Sequence, residues 1–69
     1  MKISARNQIA GTIVEVVKGA TTSHVRVDVG GGAIVTASIT NESVDELKLK
    51  KGQKAYAVIK ASDVMVAID

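Results

Sequence analysis

Hydrophobic and polar positions alternate with period two along most of the chain, and this pattern predicts strands. The segment Ser23-His24-Val25-Arg26-Val27-Asp28-Val29 alternates strictly. Val25, Val27 and Val29 are expected to face a core, with His24, Arg26 and Asp28 facing water. Ahead of it, Gln8 to Val17 is apolar on both faces apart from Gly11 and Glu15. It predicts a strand covered on both faces, or one wrapped between two sheets, with Ile9, Gly11, Ile13, Glu15 and Val17 sharing one face. Gly11 inside that run predicts a bulge or a close backbone approach. Lys18 to Thr22 reads as a turn, and Gly30-Gly31-Gly32 as a hairpin connection, because glycine tolerates the positive φ of tight hairpins. A third strand is predicted over Ala33 to Thr40.

The period then changes. Thr40-Asn41-Glu42-Ser43-Val44-Asp45-Glu46-Leu47 begins with cap residues and an early acid, and places Val44 and Leu47 three apart. Thr40 or Asn41 can accept from the first free N–H groups, so a helix of one to two turns is predicted. Lys51-Gly52 ends the helical excursion. Further strands are predicted over Lys54 to Lys60 and, after Ala61-Ser62-Asp63, over Val64 to Ile68. The whole of residues 1–69 reads as a single domain that is all-β with one short helix. Five strands, with the helix between the third and fourth, match the order of an OB-like Greek-key barrel.

Composition narrows the function. The 69 residues are 46% hydrophobic, yet they include one Tyr and no Phe, Trp, Cys or Pro. Val, Ile and Thr make up a third of the chain, which favours pleated sheet. Without Cys there is no disulfide scaffold and no zinc site built on thiolates. With one His and no base partner for any Ser, catalysis is not expected. His24 reads as a solvated strand residue. Single-strand nucleic-acid binding needs aromatic platforms for base stacking, and Tyr56 is alone, so a nucleic-acid-binding OB module is the alternative reading rather than the first. The net charge of +2 fits an anionic partner without requiring one. The cluster Lys48, Lys50, Lys51, Lys54 reads as a solvated turn. No signal peptide or membrane span is visible, so a cytoplasmic protein is expected. The chain is also more apolar than a lone domain of this size can hide, which predicts a homo-oligomer.

Two polar clusters stand out. Ser4-Ala5-Arg6-Asn7 precedes the first strand, and Lys60-Ala61-Ser62-Asp63 lies between the last two. Each joins a cation to a hydroxyl and a small residue whose backbone N–H stays approachable. Arg6 offers a planar fork of donors and Lys60 a compact charge. Together they would suit a tetrahedral dianion, if the two clusters meet. A plainer reading is that Ser4 and Asn7 shape a loop and Lys60 ends a strand.

The opening Lys-Ile-Ser-Ala-Arg-Asn-Gln with Gly11, and the later Ala57-Val58-Ile59-Lys60-Ala61-Ser62-Asp63-Val64-Met65-Val66, resemble the molbindin (Mop-like) proteins and the related TOBE domains. The resemblance spans essentially the whole chain. It implies an OB-like fold that binds molybdate, and tungstate similarly, for storage or homeostasis of the anion rather than for catalysis. It further implies a hexamer, a trimer of dimers with anions at subunit interfaces. Ser4, the Ala5 backbone and Arg6 of one subunit would then meet Lys60, the Ala61 backbone and Ser62 of a neighbour. The family's second type of site would fall near Thr21, Thr22 and Ser23. No catalytic cofactor and no bare metal cation are implied.

Overall fold

The computed structural model describes all 69 residues. Strand β1 covers Asn7–Lys18, β2 Thr22–Gly30, β3 Ala33–Thr40 and β4 Lys54–Ile59. Helix α1 spans Asn41–Leu47, and a 3₁₀ turn spans Ala61–Asp63. The strands form one four-stranded sheet in the order β3-β2-β1-β4. Every neighbouring pair is antiparallel. The sheet curls into a half-barrel around a core of Ile13, Val25, Val27 and Val44, against which Val16, Val29, Ala37, Ile39, Leu49 and Ala55 pack.

The strict alternation of β2 is realised: Ser23, Val25 and Val27 are buried, while His24, Arg26 and Asp28 are exposed. The hairpin to β3 turns through Gly31 and Gly32, with φ of 61° and 81°. A Cβ disfavours such angles at two successive positions, so glycine is needed there. Asp28 supports the turn by accepting the Gly30 N–H at 2.8 Å.

Helix α1 starts where the cap chemistry placed it. The Thr40 hydroxyl accepts the Ser43 N–H at 3.0 Å, so Thr40 rather than Asn41 is the cap. Val44 is the one buried residue of the helix. Leu47, expected beside it on the apolar face, is exposed. The helix is seven residues long and ends at Lys48 in the left-handed region, so the chain turns before Leu47 can reach the core. Leu49 packs there instead, its N–H donating to the Val44 carbonyl at 3.0 Å.

Three further expectations are corrected. The fifth strand is absent: Val64 to Ile68 pairs with nothing, and four strands form a curled half-barrel in place of the expected five-stranded OB-like Greek-key barrel. A β-prone segment becomes a strand only where a free edge pairs with it, and residues 64–68 pair with neither edge of their own sheet. The bulge in β1 lies at Val14, between Ile13 opposite Val27 and Glu15 opposite Arg26, not at Gly11. That extra residue reverses the alternation, so Val16 joins Ile13 against the core while Val17 faces out. Gly11 does meet the other half of its expectation. A Cβ there would lie 2.4 Å from the Asp28 carbonyl oxygen and 2.8 Å from Val27 Cγ1.

Candidate functional site

The β1–β4 ladder decides where the two polar clusters lie. It runs from Thr12 opposite Lys54 to Asn7 opposite Ile59. Arg6 and Lys60 are therefore the next residues outward on the two strands, at one end of the sheet. The antiparallel register brings the sequence-distant segments 4–6 and 60–62 to the same end of the same chain. Two amides fix the local backbone. Asn7 Nδ2 donates to the Ile59 carbonyl at 3.2 Å, and Gln8 Nε2 donates to the Ala5 carbonyl at 2.9 Å. The sequence reading gave Asn7 only a loop-shaping part and gave Gln8 none. Their signal is a pair of amides flanking a strand start, which becomes meaningful once the partner strand is known.

Ser4, Arg6, Lys60, Ala61 and Ser62 are exposed, and Ala5 is half-buried. The ion pairs of the chain are Lys18 with Asp45 and Arg26 with Glu15, so both Arg6 and Lys60 are free of carboxylate partners. The N–H groups of Ala5 and Arg6 donate to no backbone carbonyl. Those of Ala61 and Ser62 open a 3₁₀ turn, where the first N–H groups have no partner inside the helix. The turn is closed behind them by Asp63 N–H donating to the Lys60 carbonyl at 2.9 Å. This end of the sheet thus presents two unpaired cations, two hydroxyls and several unused backbone donors. Such a set suits an anion with several oxygens, since charged and neutral donors stand at one end of the sheet.

The region of Thr21, Thr22 and Ser23 is different in kind. Thr21 and Thr22 are exposed, but Ser23 is fully buried at 0%. Its hydroxyl donates to Asn41 Oδ1, and Asn41 Nδ2 donates in turn to the Gly19 carbonyl at 3.0 Å. The Asn41 N–H also donates to the Thr21 carbonyl at 2.9 Å. These bonds tie the β1–β2 turn to the start of α1, a link the sequence reading did not contain. His24 and the acids form no cluster able to hold a metal ion. Tyr56, the single aromatic ring, is exposed on β4. No helix is long and apolar enough to cross a membrane.

Comparison with known proteins converges on one group. The TOBE domain model matches residues 3–66. A probable molybdenum-pterin-binding protein of Haemophilus influenzae is 44% identical over 69 residues, covering all of both chains. The structure of MopII from Clostridium pasteurianum superimposes with a TM-score of 0.90 at 42% identity, covering 97% of this chain and all of that one. A molybdate-binding protein from Sporomusa ovata superimposes with a TM-score of 0.91 at 38% identity, covering 99% and 100%. Matches at this identity over whole chain lengths carry family membership as well as fold: the chain belongs to the TOBE-domain family, in its molbindin branch.

Proposed function

We propose that this protein binds molybdate and serves its storage or homeostasis, without catalysing a reaction. One observation carries the reading: at one end of the sheet Arg6 and Lys60 both lack carboxylate partners and stand beside hydroxyls and unused N–H groups, so two such ends brought together hold the donors a dianion needs. The relatives named for binding molybdate or molybdenum-pterin support the identity of the anion. Tungstate, with the same charge and tetrahedral shape, is bound in the same way.

Binding rests on distributed neutralisation. Arg6 and Lys60 each compensate one charge of the dianion. The Ser4 and Ser62 hydroxyls and the N–H groups of Ala5 and Ala61 donate to its oxygens. Hydrogen bonds to a charged group contribute about 1.5–3 kcal/mol each, and excluding water strengthens them. The six residues are exposed or half-exposed in a single chain, and a second copy laid over them would supply that exclusion. In this reading the anion sits between copies of a homo-oligomer, a hexamer built as a trimer of dimers. Ser4, Ala5 and Arg6 come from one copy, and Lys60, Ala61 and Ser62 from the next. A second class of anion site lies near the exposed hydroxyls of Thr21 and Thr22, beside Ser23.

Equilibrium dialysis with molybdate, on protein of known oligomeric mass, tests the reading. Uptake of molybdate and of tungstate is expected. No uptake of either overturns it.

A further inference from the structure

The peptide unit that leads into each cation is held by a side-chain amide. Gln8 Nε2 donates to the carbonyl of Ala5, the residue before Arg6. Asn7 Nδ2 donates to the carbonyl of Ile59, the residue before Lys60. A trans peptide is planar, so its C=O and the N–H that follows point in opposite directions. No peptide bond of the chain is cis. Holding the Ala5 carbonyl therefore aims the Arg6 N–H, and holding the Ile59 carbonyl aims the Lys60 N–H. Neither N–H donates to a backbone carbonyl. The backbone N–H groups that donate to side chains are those of Gly30, Ser43 and Lys50, so both aimed donors are unused.

The engaged carbonyls matter for the same reason. A carbonyl oxygen carries partial negative charge and would repel a dianion that it faced. With both oxygens turned to amides, N–H groups are what the two peptides offer on their other side. The residue types suit this task. Asp or Glu of the same size would have no proton to donate when ionised and would bring a like charge to the site. Gln8 is exposed and Asn7 half-buried, so neither side chain is there to fill a core. Gln8 reaches back three residues within its own segment, whereas Asn7 reaches across the ladder to β4. One strand start thus orients the backbone beside both cations.

We propose that Asn7 and Gln8 are positioning residues of the anion site, Gln8 turning the Arg6 N–H and Asn7 the Lys60 N–H toward the bound oxyanion. The proposal rests on the molybdate reading given above and adds two backbone donors to it. Neither amide side chain touches the anion. A hydrogen bond weakens steeply as its angle departs from linear, so a peptide released to rock about its flanking dihedrals loses much of its bond to the anion.

Gln8→Met keeps the length and charge of the side chain and removes the donor. Asn7→Ala removes the other donor by truncation. Calorimetric titration with molybdate is expected to show affinity lowered by about 3- to 10-fold in each, the share of one neutral hydrogen bond. The melting temperature of unliganded Gln8→Met is expected to match that of the parent protein. Amide proton resonances of isotopically labelled protein give a readout that a merely structural role would not move. Saturation with molybdate is expected to shift the Arg6 and Lys60 amide protons downfield in the parent. In Gln8→Met the Arg6 shift is expected to shrink while the Lys60 shift persists, and in Asn7→Ala the reverse. Should Asn7→Ala not fold, Gln8→Met decides the matter, since its altered side chain is exposed. A variant that binds molybdate as tightly as the parent overturns the role of its residue. Arg6 and Lys60 amide protons that stay still in a molybdate-bound parent overturn the proposal and leave the molybdate reading standing. A parent protein that takes up no molybdate overturns both.

Discussion

Asn7 and Ile59 form the last rung of the β1–β4 ladder, and the Asn7 side-chain amide donates to the Ile59 carbonyl across it at 3.2 Å. The rung is thus closed by a side chain as well as by the backbone. Beyond it the strands part, and the next residue on each carries an unpaired cation. The pairing of two chain positions 52 residues apart sets where the charges of Arg6 and Lys60 stand.

Removing either cation leaves one charge of a bound dianion uncompensated. Arg6→Ala and Lys60→Ala are each expected to weaken molybdate binding by about 10- to 100-fold, from a charge-assisted contact of about 1.5–3 kcal/mol. Calorimetric titration of each variant reads this directly. Affinity equal to the parent protein in both would remove these residues from the site.

A site shared between copies makes a prediction that a site within one chain does not. Neither Arg6→Ala nor Lys60→Ala alone forms a whole site. Refolded together, they are expected to restore a fraction of the high-affinity sites, those pairing the intact Ser4–Arg6 segment of one variant with the intact Lys60–Ser62 segment of the other. Dialysis against molybdate before and after mixing measures it, and no recovery places both halves on one chain.

Gly11 stands 2.4 Å, as measured from an added Cβ, from the Asp28 carbonyl oxygen. That neighbour is backbone and cannot swing aside. Gly11→Ala is expected to push β1 from β2 and to destabilise by about 1–3 kcal/mol, the usual cost of overfilling a packed site. Thermal or urea unfolding at fixed protein concentration gives the value, and an unchanged midpoint would show that the strands separate freely there.

Ser23 is fully buried, and its hydroxyl is held by Asn41. Ser23→Ala leaves the Asn41 carbonyl oxygen short of a donor in a partly buried place, with an expected loss of about 1–3 kcal/mol. The link from the β1–β2 turn to α1 would loosen first. Faster amide exchange at Asn41 and Gly19 is the signature to seek, and unaltered exchange would deny the link any structural part.

A bound ligand raises stability by mass action, and at about 100 times its dissociation constant the gain is about 2.7 kcal/mol. Molybdate is therefore expected to raise the melting temperature of the parent protein, and to raise that of Arg6→Ala by less. A protein that only assembles would show no shift in either.

The sequence by itself determined β2, its glycine hairpin, β3 and the Thr40-capped helix. In these segments period-two alternation, turn glycines and a cap residue act locally and agree with one another. It also determined the chemistry on offer at the Ser4–Arg6 and Lys60–Ser62 segments, because residue type fixes charge and donors. Three matters were left to the tertiary structure. In β1 both faces are apolar, so the reversal of alternation at Val14 leaves no trace in the pattern and is set by pairing with β2. In Val64 to Ile68 the propensity for strand is plain, but a strand exists only with a partner, and within the chain this segment pairs with none. The placing of the two cationic segments at one end of the sheet was decided by the register of β1 on β4, a long-range pairing that no local pattern encodes.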